Sequence, residues 1–375
     1  MLREQQVIIV GAGIAGASTP WQLARRGVTA LTVLEQEDAA DRHSSGRNAA
    51  ILRTAMEDPV LHLLARESLE FFRRPPAGFA DHPLFEPCGL YLAAPAAQAG
   101  ALRAWALDPE CAVGAFEVPP AELYAKVPEL SPGVEALISI PEEGVFDLSA
   151  IHQGFLRGAK AAGAELRYRT AARELLVEDG RVKGVRTDAG DLRAGTVVLA
   201  QGGWGARLAA AAGLDLPLVP YRRHLLVTEP LAGVSGWPVV WLSGTEFYFR
   251  PESGGLMMSP CDQAVVDPDH GEEVDEEQLG VVAEKAAHWL PLRADAGAAF
   301  FWSGMRTFAP DHRFVIGPDP RCPGLHWVAG LGGHGITCGP AVGRLAADWI
   351  LGPAPRDEAA AALAPGRLLS RPTLS

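Results

Sequence analysis

Val7-Ile8-Ile9-Val10-Gly11-Ala12-Gly13-Ile14-Ala15-Gly16, with Leu31-Thr32-Val33-Leu34-Glu35 after it, decides how this chain begins to fold. Each short apolar run bounded by turn residues reads as a buried strand. Between them, the G-x-G-x-x-G spacing makes a tight turn at Gly11 and lets a phosphate approach the backbone at Gly13. At Gly16 it lets a helix pack close to the strand. The start of that helix, at Ile14 and Ala15, presents backbone N–H groups and the positive end of a dipole to an anion. Glu35 lies 19 residues after Gly16 and ends the second strand, with Gln36 beside it. A carboxylate there accepts hydrogen bonds from an adenosine ribose. Pro20 falls inside the helix and is expected to cost it one backbone bond.

The chain has 375 residues, enough for two domains, and its 48% hydrophobic and 21% charged content is that of a globular protein. A net charge of −12 opposes nucleic-acid binding, which needs basic surface to displace phosphate counterions. Met1 to Gln6 is short and polar, without the marks of a signal peptide. No apolar stretch approaches the about 18 residues of a membrane span. The five cysteines (Cys88, Cys111, Cys261, Cys322 and Cys338) are odd in number and show no C-x-x-C. They are expected to be buried free thiols in a reducing cytoplasm, and no metal site is expected.

Beyond the opening unit, Asp41 to Ala50 is a small, polar, glycine-bearing loop, and Pro59 to Arg73 has helical apolar spacing. From Gly78 to Glu143 prolines and short strands break the pattern, as in a departure into another domain. A helix is expected at Ile151 to Ala162. Turns at Asp179-Gly180 and Ala189-Gly190 then divide a three-stranded meander, which leads into the buried strand Thr196 to Ala200. Residues 221–307 are strand-rich, with one helix near Glu276 to Trp289. The expected fold is α/β: a Rossmann-like nucleotide-binding domain built from discontinuous segments (1–80, 142–218 and 305–365). A substrate domain with a mainly antiparallel sheet (81–141 and 219–304) completes it. A tail follows at 366–375, and the Ala- and Pro-rich stretch from Pro353 is expected to be partly ordered.

A second strand–glycine loop–helix lies near the C-terminus. Leu325 to Ala329 leads into Gly330-Leu331-Gly332-Gly333-His334-Gly335-Ile336-Thr337, then a helix with Val342, Leu345, Ala346, Trp349 and Ile350 on one face. Such a helix start stabilises negative charge, as on the N1–C2=O edge of a reduced flavin. A nicotinamide enzyme has no need of it, so the two loops together argue for FAD.

Five segments carry a resemblance: Gly11–Gly16, His43 to Ala50, Gly184-Val185 with Thr187, Ala200 to Trp204, and Gly330 to Thr337. Together they resemble the D-amino acid oxidase superfamily of FAD amine oxidoreductases, which includes glycine and sarcosine oxidases. Gly13 to Thr19, Pro75 to Phe79, His152 to Gly154 and Phe247-Tyr248 resemble in particular the bacterial FAD-dependent D-arginine/D-amino acid dehydrogenases. The resemblance implies oxidative deamination of D-amino acids to 2-oxo acids and ammonia, by hydride transfer from Cα to flavin N5. Oxidation of secondary amines or of 2-hydroxy acids, and a non-catalytic FAD-binding subunit, stay open as alternatives.

The same resemblance implies that Arg306 clamps the substrate carboxylate, that Arg223 assists (Arg222 is the weaker candidate), and that the Tyr248 hydroxyl reaches the substrate. Cofactor contacts are expected from Gly11, Gly13, Ile14, Ala15, Gly16, Glu35 and Gln36. They are also expected from Ser44, Ser45, Gly46, Arg47, Asn48, Ala49 and Ala50, from Ala172 and Gly202, and from Gly333, His334, Gly335, Ile336 and Thr337. Ile51, Met56 and Leu90 stand where arginine-preferring relatives place polar groups. With Gly333 and Ile336 they would line a pocket for apolar or small side chains. Gly304 replaces the cysteine to which sarcosine oxidase bonds its flavin, so FAD is expected to be non-covalent, with His43 the other attachment point to examine. Met257 replaces the lysine that helps oxygen react. The electron acceptor, a quinone or oxygen, stays open.

Overall fold

The apolar runs that open the chain lie at the centre of a six-stranded sheet. The computed structural model describes residues 6–353, 355 and 357–369. The sheet order is Val315–Pro318, Leu325–Ala329, Thr196–Leu199, Val7–Val10, Leu31–Leu34 and Glu165–Arg167. All neighbours are parallel except the first pair. Every residue of the Val7–Val10, Leu31–Leu34 and Thr196–Leu199 strands is buried, as a parallel sheet covered on both faces demands.

Because Val7–Val10 and Leu325–Ala329 flank Thr196–Leu199 in parallel, their carboxyl ends emerge side by side. The turns at Gly11–Gly16, Gln201–Trp204 and Gly330–Gly335 therefore gather at one edge, where open α/β sheets bind ligands. The helices that follow the two glycine loops, Ile14–Arg25 and Gly335–Leu351, pack on each other. Bare glycines permit the contact: a Cβ on Gly343 would lie 2.7 Å from the Ser18 backbone, and one on Gly339 would lie 2.9 Å from Ile14. Ile14–Arg25 runs through Pro20 unbroken. The meander Ala172–Glu178, Arg181–Thr187 and Gly190–Arg193 turns at Asp179 and Gly180, both at positive φ as a two-residue hairpin requires.

A nine-stranded sheet forms the second layer. Its order is Ala264–Val265, Val219–Thr228, Gly255–Ser259, Phe247–Glu252, Val239–Leu242, Leu90–Ala94, Ala136–Ile140 and Phe116–Glu117, and Ala298–Phe308 pairs with Val219–Thr228. All its pairings are antiparallel except that of Leu90–Ala94 with Val239–Leu242.

Several local expectations change. Helices Ala96–Ala106 and Pro120–Lys126 occupy the stretch that reads as prolines and short strands. Pro95, Pro119 and Pro120 begin those helices, where a missing N–H costs nothing. The helix expected at Ile151 starts at Leu148, because the Asp147 side chain caps it by accepting from Ala150 N–H at 2.8 Å. The stretch after Pro353, expected to be partly ordered, is docked at 357–369. Ala359, Ala360 and Leu363 are buried, and Arg367 pairs with Asp311 at 2.8 Å. Residues 354, 356 and 370–375 of it lie outside the described residues. All five cysteines are free thiols; four are buried, but Cys88 is exposed. Among the described residues no helix is long and apolar enough to cross a membrane, and no cluster could hold a metal ion.

Candidate active site

The gathered carboxyl ends open onto a cavity of about 1120 Å³. Gly11, Gly13, Ile14 and Ala15 line it, with Glu35, Gln36 and Ala172. Gly202, Gly333, Gly335 and Ile336 line it too. Gly11 sits at φ +97°, and a Cβ there would lie 2.5 Å from Ala200 O. Gly16 is not part of the lining. A Cβ on it would lie 1.7 Å from Gly11 O, so it serves the turn and helix packing only.

Glu35 binds the loop as well as facing the cavity. Its Oε2 accepts from Ala12 N–H at 2.8 Å and its Oε1 from Glu37 N–H at 3.0 Å, leaving one lone pair on each oxygen. The Ile14 N–H is not free for an anion, because it donates to Ser45 Oγ at 2.9 Å. Ser45 then presents its own hydroxyl at the wall.

The loop from Ser44 to Ala50 is shaped by Asn48. Its Nδ2 donates to Ser44 O and Ser45 O, and its Oδ1 accepts from Ala50 N–H. Ser44, Ser45 and Asn48 line the cavity, but Gly46, Arg47 and Ala50 do not. A Cβ on Gly46 would lie 2.0 Å from Asp41 O, and Arg47 pairs with Glu272 at 3.0 Å. His43 is held by carboxylates at both ring nitrogens, Glu272 at 2.5 Å and Glu37 at 3.1 Å. A cavity with bare glycines at its turns, an acid at the strand end and a buried orphan acceptor, Gln201 Oε1, fits a flavin dinucleotide.

A second cavity, about 970 Å³, adjoins the first and shares Asn48, Arg306, Gly332, Gly333 and Ile336 with it. The nine-stranded sheet supplies two of its cations. In the pairing of Val219–Thr228 with Ala298–Phe308, Tyr221 stands opposite Arg306 and Arg223 opposite Gly304. The period of two therefore puts Arg223 and Arg306 on one face and Arg222 on the other.

Arg306 is 8% exposed and donates to its neighbour Met305 O at 3.1 Å. No carboxylate lies within ion-pairing distance of it among the described residues. Loss of water pulls its guanidinium down to about 10, with Arg223 adding to the fall. Arg223 donates to Asp262 O at 3.1 Å and Gln263 Oε1 at 3.5 Å, both neutral. Arg222 instead donates to His270 O and does not line the cavity.

Tyr248 is buried beside Arg306 and stacks on Trp241, with ring centroids 4.6 Å apart; burial raises its phenol. His334 is pushed down to about 3 by loss of water and then by Arg53, Arg306 and Arg223, so it stands uncharged. His334, Thr337 and Ala49 line this second cavity rather than the first.

The profile of the DAO family, described as FAD dependent oxidoreductase, matches residues 6–349. The chain belongs to this DAO family. It is 28% identical to glycine oxidase of Pseudomonas aeruginosa over 97% of this chain and 100% of that one. It is 25% identical to 4-methylaminobutanoate oxidase (formaldehyde-forming) of Paenarthrobacter nicotinovorans over 93% of this chain, but spans only 44% of that protein. L-proline dehydrogenase from P. horikoshii shares the fold, with a TM-score of 0.84 and 24% identity over 94% of each chain.

Within this DAO chain some assignments move. Ile51 lines the second cavity, but Met56 and Leu90 do not. Met56 is 3% exposed in the core formed with Leu61 and Leu64. Leu90 is fully buried in a central strand, packed with Ala99 and Leu102. Met257 is buried in the sheet and lines neither cavity. A Cβ on Gly304 would lie 2.5 Å from Arg47 O, so no side chain fits there without rearrangement. Five residues that line the second cavity escaped the sequence reading: Arg53, Trp241, Gln263, Phe308 and His312. Arg53 had a signal: it lies two residues after Ile51 and lines the same cavity, while Leu52 between them is buried in the core.

Proposed function

We propose that this chain oxidises the Cα–N bond of D-amino acids, with FAD held non-covalently in the first cavity. The observation that carries the reading is Arg306, a buried guanidinium without a carboxylate partner, at the wall the two cavities share. Bound FAD supplies the acceptor for the hydride of Cα–H. A planar guanidinium binds a carboxylate through two parallel bonds, so Arg306, aided by Arg223, fixes both the position and the tilt of the substrate. Tyr248, locked against Trp241, steadies it, and the uncharged His334 adds no further cation. No aspartate or glutamate lines this cavity, so the amine proton passes to water or to the network near Tyr248 and His334, and the chain contributes mainly by positioning. The imine released is hydrolysed to a 2-oxo acid and ammonia.

With Met56 and Leu90 outside the cavity, the preference for apolar side chains loses its support. The D configuration rests on the motif resemblance. The relatives that act on glycine and on a methylamino acid favour a second reading, in which the amine is achiral or N-methylated. The test is anaerobic mixing of the FAD-loaded protein with D-amino acids, L-amino acids, N-methyl amino acids and 2-hydroxy acids. D-amino acids are expected to bleach the flavin. Bleaching by none of the amines would overturn the proposal. Oxygen uptake against quinone reduction then identifies the electron acceptor.

A further inference from the structure

The second cavity carries more positive charge than one substrate carboxylate can answer. Arg53, Arg223 and Arg306 line it, and no aspartate or glutamate does. The three guanidinium groups make their protein hydrogen bonds to neutral oxygens only: Arg53 Nε to Ala55 O at 2.9 Å, and the Arg223 and Arg306 bonds given above.

Arg53 is built into place. Its guanidinium lies 4.6 Å from the Trp241 ring centroid and 5.7 Å from that of Trp105. Stacking fixes the plane and leaves the edge donors for a planar anion. Glu143 is the buried acid whose charge acts most strongly on Arg53, but no ion pair joins the two, and its Oε2 has no hydrogen-bond partner. Its Oε1 accepts from the Thr54 N–H, the Thr54 hydroxyl and the Ala55 N–H, so it anchors the backbone after Arg53. No carboxylate lies within ion-pairing distance of the Arg53 guanidinium among the described residues.

We propose that Arg53 forms a second carboxylate subsite, so that the substrate is an amine bearing two carboxylates, one held by Arg306 and the other by Arg53. This rests on the amine-oxidation reading above and narrows its substrate class. Loss of water lowers the Arg53 guanidinium, so the cation is held in a site that a bound anion would relieve.

The test uses the FAD-loaded full chain and reads binding apart from turnover. Succinate, glutarate and their half-amides are titrated while flavin absorbance is followed, with the wild type, Arg53→Met and Arg53→Lys. The diacids are expected to bind at least about 10-fold tighter than the half-amides, a buried charge-pair discrimination. Arg53→Met should erase that ratio without weakening the half-amides, and Arg53→Lys should restore part of it. In turnover, kcat/KM for D-aspartate over D-asparagine should fall towards unity in Arg53→Met.

Equal binding of diacid and half-amide by the wild type would overturn the subsite, whatever the variants do. So would equal weakening of both by Arg53→Met, since Arg53 would then share the single carboxylate. A diacid preference in a protein whose flavin no amine reduces would sink the amine reading and leave the subsite standing. Oxidation of D-alanine with no diacid preference would do the reverse.

Discussion

Gly333 leaves the space through which Arg306 reaches the shared wall. A Cβ on Gly333 would lie 2.7 Å from Arg306 Cδ and 2.8 Å from its Nε, and the glycine sits at φ +87°. Gly333→Ala therefore meets strain from both the backbone and the neighbouring side chain. It is expected to raise KM by about 10-fold or more, since small misplacements of positioning groups cost that much. Steady-state kinetics read it, and flavin content separates the effect from cofactor loss.

Replacement of Arg306 itself removes the proposed carboxylate clamp. Arg306→Leu is expected to cost about 100-fold or more in kcat/KM, mostly through KM, as loss of a buried charge-assisted pair does. Arg306→Lys should recover only part, because an ammonium lacks the planar fork. A KM for Arg306→Leu within a few-fold of the wild type would refute the assignment.

The nucleotide end has its own test. Glu35 holds the Ala12 and Glu37 amides while facing the cavity, so Glu35→Ala loosens the loop and removes the ribose acceptor together. FAD affinity is expected to fall by about 10-fold or more, the loss of one or two hydrogen bonds to a charged group. Equilibrium titration of the apoprotein with FAD measures it.

Acid stability reports on the buried histidines. Burial alone pushes His326 down to about 4, so below its ordinary pKa the unfolded chain binds a proton that the folded chain refuses. Stability from this residue is thus present above about pH 6.5 and lost as pH falls towards 4, by up to about 1.4 kcal/mol per pH unit. His326→Asn should flatten the fall of Tm between these values by about one proton, measured on the apoprotein. His334, pushed down to about 3, contributes in the same direction.

The parts legible in the sequence were those where one physical demand acts alone. Val7–Val10 is buried on both faces and reads as an unbroken apolar run, and the glycine turns read from the close approaches they permit. The side chains of the second cavity were harder. Leu90 belongs to a strand buried on both faces, so nothing in its alternation says which face meets a ligand. Met56 lies beyond the short strand Ile51–Leu52, where the period of two has ended and the chain turns into the core. Arg53 follows directly on that strand, but its partners Trp105 and Trp241 come from distant segments that only the fold brings to it. Helices Ala96–Ala106 and Pro120–Lys126 were hidden because their prolines stand at starts and not at breaks.

Loading the purified chain with FAD and then removing free nucleotide on a sizing column asks whether the two glycine loops jointly grip one flavin. One FAD per chain should travel with the protein and colour it yellow. A colourless protein, with all the flavin in the small-molecule fraction, would contradict the account at its base.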